Sequence, residues 1–235
     1  MKFDSIRNQA YEANMALEEA DLVVATFGNA SALDSDHGVF AIKPSGVPYR
    51  DLSPELMVIV DIEGKKIDGD MNPSSDTLTH AVLYKEWPGI GGVVHTHSTY
   101  ATAWAQAQMA IPIYGTTHAD HLTVDIPCAP VMTAEMIKGQ YEYMTGYQIV
   151  EYMAAMNYSA REVEMILVAG HAPFTWGKTV KKAVYNSLIC EEIAKMAVLT
   201  QQIRPNAPRL DNNLIDKHYQ RKHGAGAYYG QDMEK

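Results

Sequence analysis

LVVATFGNASALDSDHGVFAIKP, residues 22–44, is the stretch whose reading decides the fold. Its first six residues, LVVATF (22–27), are apolar and rich in β-branched side chains, the composition of a strand. GNASALD (28–34) carries turn chemistry, and VFAIKP (39–44) then reads as the partner in a hairpin. MVIVDI (57–62) is a third strand, closed by Glu63-Gly64. Three strands in near succession favour a largely antiparallel or mixed sheet covered by helices. A doubly wound parallel sheet would need strict alternation of strand and helix.

The rest of the chain supplies those helices. Residues 3–20 suit an amphipathic helix with Ile6, Ala10, Ala13 and Leu17 on one side. A second helix spans about 76–87, capped by Ser74 or Ser75 and ended by Pro88-Gly89. IGGVVHTH (90–97) reads as a strand, and a helix capped by Ser98 follows it. TVDIP (123–127) is a strand, YQIVEYMAAMN (147–157) a helix, and MILVAG (165–170) a strand that leads into HAPFTWG. A long helix runs from about Thr179 to Ile203, and a last one lies near LIDKHYQRKHG before a tyrosine-rich tail. No repeat or linker interrupts the 235 residues, so the simplest organisation is a single domain over 1–235.

Composition narrows the function. With 47 % hydrophobic and 20 % charged residues the chain is that of a globular protein. A net charge of -9 argues against broad binding to nucleic acid, although a pocket on an acidic protein can still be locally positive. No apolar run is long enough to span a bilayer, and the charged N-terminus is not a signal peptide. Two cysteines, Cys128 and Cys190, suggest buried thiols in a cytoplasmic protein. No G-x-G-x-x-G joins a strand to a helix and no Walker A motif is present.

The chemistry lies in the histidines. Residues i and i+2 of a strand face the same side, so His95 and His97 project together at the end of theirs. His171 stands in the same setting, just past MILVAG. Three imidazoles at strand ends can converge if the strands are neighbours, and three protein ligands with an open position describe a catalytic zinc site better than a structural one. Asp76, at a helix start, is a plausible anionic neighbour. His37, His80, His118, His121 and His223 have weaker settings that suit surface or hydrogen-bonded roles. Gly28-Asn29, the KPSG stretch (43–46) and Ser74-Ser75 offer amides, hydroxyls and a cation suited to an anion; with a metal they suggest a phosphorylated substrate.

GNASALD, IKPSG, PSSDTLTH, GGVVHTHSTYATAWAQ, GTTHAD, IPC, GHAPFTWG and DKHYQRKHGAGAYYGQ follow in an order that resembles the L-ribulose-5-phosphate 4-epimerases of the class II aldolase/adducin family, over nearly the whole chain. The resemblance implies a three-layer α/β/α sandwich with a central, mainly antiparallel sheet. It implies a homotetramer with active sites at subunit interfaces, a small sugar phosphate as substrate, and Zn2+ as cofactor, with Mn2+ or Co2+ as substitutes. By it, His95, His97 and His171 are metal ligands with Asp76 beside them. Gly28, Asn29, Lys43, Ser45, Gly46, Ser74 and Ser75 match substrate- and phosphate-binding positions, and Thr116, Glu142, His218 and Arg221 match positions near the site. Asp120 matches one acid/base residue; Tyr229 matches the other, and in the family it reaches in from a neighbouring subunit. One departure stands out: VAGHAPF replaces the family's VHSHGPF, which keeps His171 and loses the earlier histidine.

The implied reaction inverts C4 of L-ribulose 5-phosphate to give D-xylulose 5-phosphate, by retro-aldol cleavage, rotation of the aldehyde fragment and re-addition. The nearest rival is a class II sugar-phosphate aldolase of the L-fuculose-1-phosphate type, which releases the fragments. Such aldolases tend to carry Glu at the position of Asp76 and lack a match to Asp120. A non-catalytic adducin-like module is the rival from another class, disfavoured by the intact histidine set.

Overall fold

The computed structural model describes residues 3–224 and residue 227. The first helix, α1 (Asp4–Glu19), buries Ile6, Ala10, Ala13 and Leu17, the stripe expected from their spacing. Its exit corrects the reading of residues 22–27. Asp21 takes a left-handed φ of 54°, the Asp21 N–H returns to Glu18 O and the Leu22 N–H to Leu17 O. Leu22 and Leu17 are both buried. This is the hydrogen-bonded stop of a helix with its apolar contact, and not the start of a strand. Past it, Val24 and Phe27 are 68 % and 62 % exposed.

The strand is instead β1 (Asn29–Asp34), the segment whose composition reads as a turn. It is central and covered on both faces, so small residues are what fit there. Ala30 and Ala32 pack under α1, while Ser31 and Asn29 face the opposite layer and bond to side chains there. A hairpin leads to β2 (Val39–Ile42), pinned by Asp34 Oδ1, which accepts from the Asp36 and His37 amides. β3 (Val58–Asp61) and a short, unforeseen β4 (Lys66–Asp68) extend the sheet on that side.

The remaining elements, in chain order, are α2 (Thr77–Glu86), β5 (Gly92–His95), α3 (Thr99–Gln106), α4 (Thr116–Ala119), β6 (Cys128–Ala129), α5 (Ala134–Lys138), α6 (Tyr141–Ala155), β7 (Met165–Val168), β8 (Pro173–Gly177), α7 (Val180–Ile203) and α8 (Asn212–His223). The expected strand at 123–127 is absent. Ile126 makes a single bridge to Ile111, and pairing begins two residues later at Cys128. PFTWG, unassigned in the sequence, is the buried strand β8.

The described strands form one sheet in the order β4-β3-β2-β1-β5-β8-β7-β6, and every pairing is antiparallel except β6 with β7. Helices cover both faces. α1 and the start of α7 lie over Ala30, Ala41, Ile59 and Val94; α2 and α6 share a second cluster with Phe40, Val60, Val93 and Phe174. The mainly antiparallel α/β sandwich is thus borne out.

Close approach of α7 to β5 explains the Gly91-Gly92 pair. A Cβ at Gly92 would stand 2.5 Å from the Val180 backbone nitrogen. Backbone cannot step aside as a side-chain tip can, so Gly92→Ala is expected to cost about 3 kcal/mol of stability. Urea denaturation would measure it, and a loss within experimental error would contradict the packing argument. The same contact fixes the strand that carries His95.

Candidate functional site

β1, β5 and β8 are neighbours, with Asn29 paired to His95 and His95 paired to Phe174. The loop between β7 and β8 carries His171 back over the end of β5, and His97 follows two residues after His95. The three histidines therefore converge: one ring nitrogen from each lies within 4.8 Å of the others. His95 Nδ1 stands 3.0 Å from Pro173 O and donates to it, which leaves the Nε2 lone pair free, 3.1 Å from His97 Nε2. The His95 ring is stacked on Phe174 at 4.1 Å, which locks its plane. Burial, with the neighbouring imidazoles, lowers the pKa of His97 and takes that of His171 to about 3. Three imidazole nitrogens turned toward one point suit a divalent cation, and the absence of thiolates suits a catalytic centre.

Asp76 precedes α2 but makes no capping bond to its amides. Its Oδ2 accepts from Asn29 Nδ2 at 2.6 Å, with Ser74 Oγ at 3.5 Å. Burial works against its charge, yet His95, His80 and the Asn29 amide outweigh it and hold the carboxyl below the usual range. A carboxylate thus faces the three imidazoles.

The stretches expected to suit an anion line the same cavity of about 430 Å3. Gly28, Asn29, Lys43, Ser45, Gly46, Ser74, Ser75, Asp76, His95, His97, Glu142 and His171 all border it. Two loops are tied together at its rim by Ser74 N–H to Lys43 O and Ser45 N–H to Asn72 O, both 3.0 Å. Gly28 has a φ of 80°, and a Cβ there would stand 3.1 Å from His95 O. Lys43 is only 2 % exposed; its Nζ donates to Thr26 O at 3.2 Å and lies 5.0 Å from the Tyr49 ring centre. Burial lowers its pKa to about 8.

Sequence reasoning missed Thr26, Phe27 and Tyr141, which border the cavity too. Tyr141 opens α6 beside Glu142, its ring 6.2 Å from that of His171, and Phe27 lies 6.2 Å from His97. Adjacency to an assigned residue was the only signal for Tyr141. His80 takes the hydrogen-bonded of its two expected settings, bonded to Ser31 and wholly buried.

Four of the assigned residues lie elsewhere. Thr116 begins α4, Asp120 ends it, and α8 packs across them with His218 and Arg221. Asp120 accepts from Arg221 at 3.0 and 2.8 Å and from His218 Nδ1 at 2.9 Å, with Lys222 Nζ at 3.5 Å. Burial opposes its charge, but these hydrogen bonds and cations bring its pKa down to about 2. The neighbouring His121, Tyr219 and His223 border a cavity with Glu164 and Met165, where β7 starts, whereas His171 follows the other end of that strand. The Asp120 cluster and the histidines therefore sit at opposite ends of the sheet. Tyr229 lies outside the described residues. Among those residues no helix is long and apolar enough to cross a membrane.

Solved structures share this architecture. An L-fuculose 1-phosphate aldolase matches with a TM-score of 0.77 and 21 % identity, over 92 % of this chain and 95 % of that one. YgbL from Klebsiella pneumoniae, described as an aldolase, epimerase or decarboxylase, matches with a TM-score of 0.73 and 22 % identity, over 92 % and 99 %. L-fuculose-1-phosphate aldolase from Thermus thermophilus matches with a TM-score of 0.66 and 22 % identity, over 87 % and 98 %. At such identities the likeness is one of fold. The sequence itself matches the family model described as the class II aldolase and adducin N-terminal domain across residues 8–198. The chain belongs to the class II aldolase and adducin family.

Proposed function

We propose that the protein is a metal-dependent L-ribulose-5-phosphate 4-epimerase. The observation that carries the reading is one cavity holding both the histidine set with Asp76 and the anion-binding loops of Lys43, Ser45, Gly46, Ser74 and Ser75. A divalent cation there, Zn2+ with Mn2+ or Co2+ as substitutes, supplies Lewis acidity for negative charge developing on a ketose.

The substrate sets the route. Its carbonyl is at C2, so the C4 hydrogen is not acidic and simple proton exchange cannot invert that centre. Taking the proton from the C4 hydroxyl instead turns its oxygen electron pair into a carbonyl and breaks the C3–C4 bond. The bonding pair remains with the three-carbon fragment as an enediolate, and glycolaldehyde phosphate is left. The phosphate loops keep that aldehyde bound while its carbonyl turns, and addition to the other face restores the bond with C4 inverted. Protons are handled on both faces, which suits two opposed groups, Asp120 and Tyr229. Since Asp120 lies at the far end of the sheet from the histidines of its own chain, it serves a site in another copy. The exposed apolar residues Tyr185, Leu188, Met196, Leu199 and Ile203 along α7 support such assembly, a homotetramer by family resemblance.

A class II aldolase is the second reading, favoured by the structural likeness to L-fuculose 1-phosphate aldolase. Incubation with L-ribulose 5-phosphate, with and without added metal, separates the two. D-xylulose 5-phosphate as product supports the epimerase. Accumulation of free dihydroxyacetone and glycolaldehyde phosphate selects the aldolase, and turnover with no bound divalent ion overturns both.

Lys43 gives a test of the phosphate loops. Lys43→Met keeps the stem and removes the charge, so affinity for the sugar phosphate should fall by about 10- to 100-fold, the size of one charge-assisted hydrogen bond. The native lysine should lose affinity as pH rises through about 8, where it gives up its proton. Its folded pKa lies below the unfolded value, so at neutral pH the fold disfavours the proton, and the methionine variant should be the more stable one. Weaker binding with higher stability marks a residue kept for a ligand. Unchanged affinity would remove Lys43 from the phosphate site.

A further inference from the structure

Beneath the histidines lies a polar chain that the proposed reaction does not use. β1 and α2 run side by side here, and two steps along the strand span nearly the same distance as four along the helix, roughly 6 Å. Two rungs result. Asn29 bonds to Asp76, and Ser31 Oγ stands 2.7 Å from His80 Nδ1. Ser31 Oγ is also 2.7 Å from Tyr84 OH, one further helical turn along, and Tyr84 OH is 2.9 Å from Ser31 O. His80 is 0 % exposed, and its Nε2 has no protein hydrogen-bond partner. A wholly buried imidazole with one nitrogen left over is an expensive choice for a core position, where leucine would pack without a polar atom.

The proton count gives the chain a direction. Tyr84 has a single O–H, which reaches Ser31. Ser31 has a single O–H, which goes either back to Tyr84 or on to His80 Nδ1. In the second case His80 carries its proton on Nε2 and becomes a donor. Asp76 precedes His80 by one helical turn, and the two groups interact electrostatically. Carboxylate oxygens accept hydrogen bonds, so it is the donor form of His80 that can serve Asp76, one helical turn away. The second link is apolar: the His80 ring meets Phe174 nearly edge-on at 6.4 Å, and Phe174 is the residue stacked on His95.

We propose that His80 is a positioning residue, which through the Tyr84–Ser31–His80 chain presents an Nε2 donor to the side of Asp76 and so sets how that carboxylate faces the metal. This rests on the reading of His95, His97 and His171 as a metal centre. Ligand-orienting partners of this kind commonly change metal affinity by about 10- to 100-fold when removed.

Cobalt substitution tests it, because the visible spectrum of Co2+ reports coordination directly. The native protein should bind one Co2+ per chain. His80→Leu should weaken Co2+ binding by about 10- to 100-fold and alter its absorption bands. His80→Gln, whose amide nitrogen reaches the position of Nε2, should recover most of both. His80→Asn, which reaches only the position of Nδ1, should not, and a purely space-filling role would not separate the two. Should His80→Leu fail to fold, Ser31→Ala removes one hydroxyl without adding volume and should shift the bands in the same direction. Native-like spectra and affinity in His80→Leu, or in Ser31→Ala, would overturn the proposal while leaving the metal centre intact. A native protein that binds no Co2+ would overturn the metal centre and the proposal with it.

Discussion

Turnover by the His97→Ala protein is expected to fall by more than about 100-fold, the upper loss seen when a partner outside the ligand set is removed. Bound divalent metal should fall with it. His97 suits this test because it is the exposed member of the set, while His95 is buried and stacked on Phe174. Removing an exposed ring takes little packing with it, so the melting temperature of the metal-free variant should match that of metal-free native protein. Metal content by elemental analysis and a thermal melt, run on the same sample, separate loss of the ion from loss of the fold. Full metal content with full activity would exclude His97 from the ligand set.

Asp120→Asn carries the second large effect. Removing a positioned acid/base group lowers turnover by roughly 10²–10⁴-fold. Metal content should stay native, because Asp120 is not one of the groups that converge as candidate ligands. Co-expression of His97→Ala and Asp120→Asn chains makes the geometric claim testable. If Asp120 serves a neighbour's site, hybrid assemblies contain some sites with both residues intact, and activity returns to a measurable fraction of native. Absence of any recovery, in assemblies shown to contain both chains, would overturn the claim that Asp120 serves a neighbour's site. The same residue predicts an acid limit. Arg221, His218 and Lys222 hold its carboxyl at about 2, below the unfolded value near 4. The stability it contributes is therefore present above about pH 4 and is lost as pH falls toward 2. The Asp120→Asn protein should show a shallower loss over that interval.

Local pattern carried much of this structure. The period of Ile6, Ala10, Ala13 and Leu17 marks α1, and the start at Thr179 is real: its side chain accepts from the Lys182 amide. Pattern failed where a segment's surroundings, and not its composition, decide its state. NASALD reads as a turn because it is small and polar, yet those are the residues that fit between two helical layers when Asn29 finds a partner just before α2 and Ser31 finds partners within it. LVVATF reads as a strand because it is apolar, yet Leu22 is buried and Val23 half-buried against the end of α1, while Val24 and Phe27 face outward.

The site divides in the same way. By itself the sequence determined which residue types the candidate site holds. His-Thr-His at a strand end, a third histidine past another strand, and the Lys43 and Ser74 loops are the donor types suited to a cation and an anion, because ligand types and short spacings are properties of neighbouring residues. Tertiary structure alone decided which of them meet. The β5–β8 pairing brings His171 over His95, the β1–α2 contact turns Asp76 toward the centre and buries His80 behind it, and the length of β7 separates Asp120 from all of them. Those outcomes depend on strand order and layer packing between residues tens of positions apart, and no local period or motif encodes such distances.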